Sequence, residues 1–400
     1  MTRHINSDFF TNNRRRLLES LPDKALVVMA GHREMQRAAD ASFKFEQDAS
    51  FYYLTGVVTP DWLLVIDKDS GSDYLVAPDL DPVKLLFDGG LSAEAASRVS
   101  GVNSVIEASE LVTRLDKYKQ RGRTIYCPLT PAHLKTTGFV INPAADKLAR
   151  NLRRQFGEVH DLTQALSRLR AIKQPAELSA IEEAIAATAR AFNHIKDHLD
   201  DYDYEYQVEA EMTRLIRASG ARGHAYDPIV ASGKNACTLH YIDNDQLLAP
   251  DQLLLLDVGA RSASGYAADI SRTYAVQPNS RQRQVYQAVA KAQAECIDLL
   301  KPGLKLVDYQ RSVDKFMRSA IKSLGLSTFR YRDYFPHAIG HGLGLDVHDP
   351  LGGYDSLQPG MVMTVEPGVY IAEESIGVRI EDDILITESG HDNLSAAIKY

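Results

Sequence analysis

The sequence predicts a two-domain α+β protein, an α/β half followed by a half of hairpins and amphipathic helices. Three observations predict it. The chain has 400 residues, more than one ordinary core needs. In the first half, short apolar runs of strand length alternate with helical patterns, as in a sheet covered by helices. From Lys173-Gln174-Pro175-Ala176-Glu177 onward the texture changes to long amphipathic helices separated by apolar hairpins. The boundary is therefore placed at residue 170, with an α/β domain over 1–170 and a second domain over 171–400.

Taken in order, Phe9 to Leu21 has helical periodicity, with Arg14, Arg15 and Arg16 assigned to its outer side. Ala25–Ala30, Trp62–Asp67, Tyr74–Ala77 and Thr124–Cys127 read as strands; Ala93–Val99, Ala108–Tyr118 and Pro143–Phe156 read as helices. Pro175 and Glu177 mark a helix start, and Ile181, Ile185, Ala189, Phe192 and Ile195 continue it. Further helices are expected over Tyr204–Ala218, Gln282–Leu300 and Leu306–Leu324, and strands near Leu253, Tyr266, Met361 and Ile380.

Composition excludes several classes. A hydrophobic share of 44% and a net charge of −8 fit a soluble globular protein with no basic stripe for nucleic acid. The three cysteines, Cys127, Cys237 and Cys296, are far apart and contain no CxxC pair, which argues against a disulfide framework or a thiolate zinc site. The opening segment holds no apolar core of signal-peptide length, and ALVVMAG from Ala25 is too short to span a bilayer. The expectation is a cytoplasmic protein with no membrane partner. Neither GxGxxG nor GxxxxGK[ST] occurs, so nothing points to a nucleotide site.

The chemistry concentrates in the second half. In DQLLLLDVGARSASGYAADISRTYAV, from Asp251, a leucine run ends in Asp257 and a second apolar segment carries Asp269. An antiparallel hairpin centred near Ala263 would set these two aspartates opposite one another, at about 4.5–5.5 Å between Cβ atoms. Two ionised carboxylates that close inside an apolar sheet need a counter-charge. In MVMTVEPGVYIAEESIGVRIEDD, from Met361, the pattern repeats: a turn near Glu373–Ser375 puts Glu366 opposite Glu381, with Arg379 on the face of Glu381. Between them lies PHAIGHGLGLDVHD, from Pro336, with His337, His341 and His348 among glycines that let the backbone approach something closely.

Asp257, Asp269, Glu366, Glu381 and one histidine, His341 by preference, make an oxygen-rich set with too many anions for a single ion. Such a set suits two divalent cations bridged by carboxylates. Donor hardness and the lack of a thiolate point to Mn²⁺, ahead of Zn²⁺, Co²⁺ or Fe²⁺. Water held between two such ions becomes a nucleophile near neutral pH. A third cluster, YDPIVASGKNACTLHYID from Tyr226, carries His240 at an expected strand end, a candidate for the substrate or oxyanion side.

These strings, in their order over about residues 226 to 388, resemble the pita-bread metallopeptidases and, within them, the proline-specific branch of aminopeptidase P and prolidase. FEQDASFYYLTG, from Phe45, is similar to that family's creatinase-type N-terminal domain. The resemblance implies a pita-bread catalytic domain in which Asp269 and Glu381 bridge two ions, Asp257 holds one, and His341 with Glu366 hold the other. It implies that Glu366 also relays the proton, that His348 and His240 contact substrate, that Arg379 and Tyr370 buttress the site, and that His337 lines the pocket. Asp40 in RAAD and Arg170 in RLRAIKQP match positions used in substrate and subunit contacts. The chain departs from the family in a longer turn around Ser262–Ser264, a shorter segment from Glu366 to Glu381, and Phe87 where aminopeptidase P has tryptophan. The activity implied is removal of the N-terminal residue from peptides with proline in second position, by a homodimer or homotetramer. Its rivals are a prolidase restricted to Xaa-Pro dipeptides, a non-catalytic binding module, and a metal-free, creatinase-like amidine hydrolase.

Overall fold

The computed structural model describes residues 5–399, apart from residue 80 and residues 132, 133, 135, 137 and 139. The chain divides into two compact units, residues 5–170 and residues 171–399.

In the first unit six strands form one sheet, in the order Ser104–Glu107, Ser72–Ala77, Leu63–Asp67, Ala25–Ala30, Thr124–Cys127, His160–Asp161. Ala25–Ala30 pairs antiparallel with Leu63–Asp67 and parallel with Thr124–Cys127, so the sheet is mixed. Leu26, Val28, Val65, Tyr74 and Val76 pack with Leu115 and Tyr118 of the helix Ala108–Gln120 and with Ala149 and Leu152 of the helix Ala144–Phe156. Arg14 corrects the expected outer face of the first helix, Ser7–Glu19: it is 1% exposed. Its guanidinium gives Nε to Asp73 Oδ2 at 2.6 Å and Nη1 to the carbonyls of Leu54 and Ser100, both at 2.8 Å. Periodicity cannot register a buried charge whose partners lie 40 to 86 residues away.

In the second unit two helix pairs cover short antiparallel sheets. Helices Pro175–Asp197 and Glu205–Ala218 pack on the sheet Ile229–Ser232, Leu254–Asp257, Ser271–Tyr274 through Phe192, Ile195, Met212, Ile216, Leu254 and Leu256. Helices Ser280–Asp298 and Leu306–Ser323 bring Val285, Val289, Val313 and Met317 into a second core. Its sheet side comes from Val362–Val365, Asp382–Ile386 and the pair Gly368–Ile371 with Ile376–Arg379. Pro175 opens its helix as expected, and Gln174 N–H donates to Glu177 Oε2 at 2.9 Å, closing the capping box.

Two expectations fail here. Tyr266 is not in a strand; it follows the turn Ser262–Gly265, and its fully buried ring sends its hydroxyl to Glu177 Oε1 at 3.1 Å. His240 stands in an exposed turn after the 3-10 segment Gly233–Cys237, not at a strand end.

Candidate metal centre

The glutamates arrive where the turn near Glu373–Ser375 puts them. Val362–Val365 pairs with Asp382–Ile386 with Val365 opposite Asp382, and Gly368–Ile371 pairs with Ile376–Arg379 with Gly368 opposite Arg379. Glu366 and Glu381 occupy the interval between these two ladders, in the same register. The aspartates do not. Asp257 lies opposite Ser271, because the hairpin is centred on Ser264 rather than Ala263, with Gly265 at φ +91° taking the positive angle of the turn. Asp269 is therefore the diagonal neighbour of Asp257, a relation that separates residues by roughly 7–8 Å. Tyr226 fills that interval: its hydroxyl is 2.6 Å from Asp257 Oδ1 and 2.5 Å from Asp269 Oδ1. The sequence reading missed Tyr226. Its place just ahead of the strand Ile229–Ser232, which pairs with Leu254–Asp257, is the only signal that could have found it.

The histidine segment lies along the strand Val362–Val365 and the Glu366 that follows it. Leu343 N–H bonds to Val362 O at 3.0 Å, Thr364 N–H to His341 O at 2.9 Å and Glu366 N–H to Ile339 O at 2.8 Å. The approach is so close that a Cβ on Gly340 would lie 2.0 Å from Thr364 O, which explains glycine there. His341 gives Nδ1–H to Gly342 O at 3.0 Å, leaving Nε2 to face Asp269 Oδ2 at 3.4 Å and Glu366 Oε1 at 3.5 Å. A metal-binding imidazole is oriented through its other nitrogen in this way.

Behind the carboxylates, Arg379 gives Nη2 to Asp257 Oδ2 at 2.6 Å, Nε to Ser271 Oγ at 2.8 Å and Nη1 to Tyr370 OH at 2.8 Å. Ser271 Oγ in turn donates to Glu381 Oε2 at 2.8 Å. The Tyr370 hydroxyl is 2.9 Å from His337 Nε2, whose Nδ1 is 2.7 Å from Ala338 O. The chain from Arg379 through Tyr370 to His337 is thus continuous. The His348 ring lies 4.0 Å, centre to centre, from that of His341. Burial, and next the charges of His341 and His240, hold His348 at about 4. Burial and the Arg379 charge likewise bring His337 to about 4.

One cavity of about 190 Å³ is lined by Asp257, Asp269, His341, Glu366 and Glu381 together with His240, His337, His348 and Arg379. Asp269, His341 and Glu381 offer ligand atoms that all lie within 4.8 Å of one another. The donor set fits divalent cations, since carboxylates buried this close together favour a positive partner. Burial, and then the mutual repulsion of the carboxylates, raises Glu381 well above the ordinary range; Asp269 and Glu366 are raised too, burial again leading. Burial alone would lower His341, yet the Asp269 hydrogen bond and charge, the Glu366 charge and the Gly342 carbonyl together outweigh it and lift the imidazole to about 9. Every one of these shifts is that of a site short of positive charge. Asp383 adds a further buried carboxylate: its Oδ2 accepts from Asp269 N–H at 3.2 Å, while Oδ1 has no hydrogen-bond partner among the described residues.

The remaining candidates lie in the first unit. Asp40 is exposed in the turn of the small hairpin Gln36–Ala38, Ala41–Ser42. Arg170 is buried on the helix Thr163–Ala171 and donates Nη1 to Ser50 Oγ at 2.8 Å.

The loop that ends in His348 has an anchor of its own. Lys173 Nζ meets Asp349 Oδ2 at 2.7 Å, with the two side chains 1% and 2% exposed. Removing one partner of a buried pair strands the other charge. Lys173→Met is therefore expected to lower unfolding stability by about 3–5 kcal/mol in urea denaturation; a loss of under about 1 kcal/mol, the scale of an exposed pair, would contradict this.

Fold and site together define a metallopeptidase, and comparison with known proteins shows which kind. Residues 179–388 match metallopeptidase family M24 and residues 10–126 match the aminopeptidase P N-terminal domain. The chain belongs to family M24 and is a metallo-aminopeptidase of two-domain, pita-bread architecture. It is 32% identical to the Xaa-Pro aminopeptidase of Haemophilus influenzae, over 97% of this chain and 94% of the relative. It is also 32% identical to intermediate cleaving peptidase 55 of Saccharomyces cerevisiae, over 99% of this chain and 82% of that one. Among solved structures, aminopeptidase P from Escherichia coli with the inhibitor Pro-Leu superposes with a TM-score of 0.84 at 29% identity, covering 99% of this chain and 96% of that one.

Proposed function

We propose that the chain is an Xaa-Pro aminopeptidase that works with two divalent cations, Mn²⁺ by preference. The single cavity that gathers four carboxylates and His341 beside His240, His337 and His348 carries this reading. When bound, the cations supply the Lewis acidity that brings ionisation of water near neutral pH. Asp269 and Glu381 would hold both ions, Asp257 would hold one of them, and His341 with Glu366 would hold the other. Glu366 takes the proton of the attacking water and passes it to the proline nitrogen as the C–N bond breaks. His348 and His240 donate to the carbonyl oxygen as negative charge gathers there. Arg379 holds Asp257 in place and, through Tyr370, keeps His337 at the pocket wall. A prolyl bond has no N–H, so a wall of imidazoles and apolar groups serves it better than an amide acceptor would.

Asp40 and Arg170 stay in the proposal as contributions of the N-terminal domain to substrate or subunit contacts, in a homodimer or homotetramer. Unpaired Cys127, Cys237 and Cys296 support a cytoplasmic setting. No helix among the described residues is long and apolar enough to cross a membrane.

The test is hydrolysis of Xaa-Pro-Yaa, Xaa-Pro and Xaa-Ala-Yaa peptides after chelation, with and without added Mn²⁺. Fast, Mn²⁺-restored turnover of Xaa-Pro-Yaa is expected. Turnover of Xaa-Pro alone would favour a prolidase, equal turnover of Xaa-Ala-Yaa would remove the proline requirement, and no turnover with fewer than one tightly held ion per chain would favour a binding module.

A further inference from the structure

His240 lines the cavity from a loop that packs on one side only, where Ala236, Cys237, Leu239 and Tyr241 meet Ile229, Leu255 and Tyr370. Between Ser232 and Gln246 the chain forms one 3-10 turn, Gly233–Cys237, and Lys234, Thr238, His240, Ile242, Asp243, Asp245 and Gln246 are all exposed. A segment packed on one side only needs something else to fix its exposed residues.

That something is a buried carboxylate. Glu205, in the first turn of the helix Glu205–Ala218, is 0% exposed. Its Oε1 accepts from Ser232 N–H at 2.6 Å, Ser232 Oγ at 2.7 Å and Asn235 Nδ2 at 3.2 Å. Its Oε2 accepts from Tyr241 OH at 2.8 Å and Gln246 N–H at 3.0 Å. Its own N–H donates to Gln246 O at 3.0 Å. One side chain therefore ties the start, the middle and the end of the loop, and Tyr241 adjoins His240. A carboxylate is suited to this because it only accepts, with about four lone-pair sites. Asn244, 1% exposed and at φ +47°, adds a second tie: Oδ1 accepts from Val230 N–H at 3.0 Å, and Nδ2 donates to Pro228 O and Glu209 Oε2, both at 2.9 Å.

We infer that Glu205 is a positioning residue for the reaction: it clasps the loop over residues 232–246 and so fixes where His240 stands against the substrate. This rests on the peptidase reading above. Glu205→Gln turns an amide N–H₂ towards hydrogen-bond donors and opens the clasp; Tyr241→Phe removes one donor and leaves the carboxylate buried.

The experiment compares the metal-loaded full chain with Glu205→Gln, Tyr241→Phe, His240→Ala and the two double variants that include His240→Ala. It measures bound metal, amide hydrogen exchange and kcat on an Xaa-Pro-Yaa peptide. Glu205→Gln is expected to speed exchange over residues 233–246 while leaving the strand Val362–Val365 and the metal content unchanged. It should lower kcat about 10- to 100-fold, the scale of losing hydrogen bonds to a charged group. Tyr241→Phe should do the same more weakly. Each double variant should be no slower than His240→Ala alone, since a residue acting through His240 has nothing left to position. Multiplying losses, or unchanged exchange over residues 233–246, would overturn the inference. An unmodified chain that holds metal yet cleaves no Xaa-Pro peptide would count against the peptidase reading, and the exchange comparison would then decide the clasp alone.

Discussion

Asp269→Ala is expected to remove metal and activity together, with kcat falling by roughly 10³-fold or more, since several kcal/mol of Lewis-acid stabilisation leave with the ions. Asp269 is 5% exposed, belongs to the tightest ligand group with His341 and Glu381, and is bonded through Tyr226 to Asp257. The neighbouring carboxylate of Asp383 already spends Oδ2 on the Asp269 backbone N–H. Glu381→Ala should behave alike. Elemental analysis beside the kinetic assay checks this, and a variant that keeps the wild-type metal content would refute the bridging role.

His348→Ala should separate the two properties. The ring of His348 lies 4.0 Å from the His341 ring and lines the same cavity, but it is not in the tightest ligand group. Metal content should therefore hold while kcat falls by roughly 10² to 10³, the scale for losing one donor aimed at developing negative charge. Metal loss equal to that of Asp269→Ala would make His348 a ligand or a prop for His341 instead.

What could be read from the residues beforehand follows physical lines. The glutamate register was legible because the two apolar segments that flank the turn at Glu373–Ser375 pair about it in one register, which two successive ladders share. The glycines of the histidine segment signalled a close approach, and Gly340 against Thr364 O is that approach. The aspartate register was not legible to better than one residue at the turn centre, because Ser262-Ala263-Ser264-Gly265 allows more than one closure and only Gly265 at φ +91° decides. Tyr226, Glu205 and Arg14 escaped for a common reason. Each acts through partners distant in sequence, and their spacing carries no period that a single chain displays.

The most direct test of the paired-cation centre is anomalous diffraction from crystals soaked in Mn²⁺. Two manganese peaks are expected in the cavity, with Asp269 and Glu381 touching both, Asp257 touching one, and His341 with Glu366 the other. A single peak that omits any of these five side chains, or manganese found only elsewhere on the chain, would contradict it.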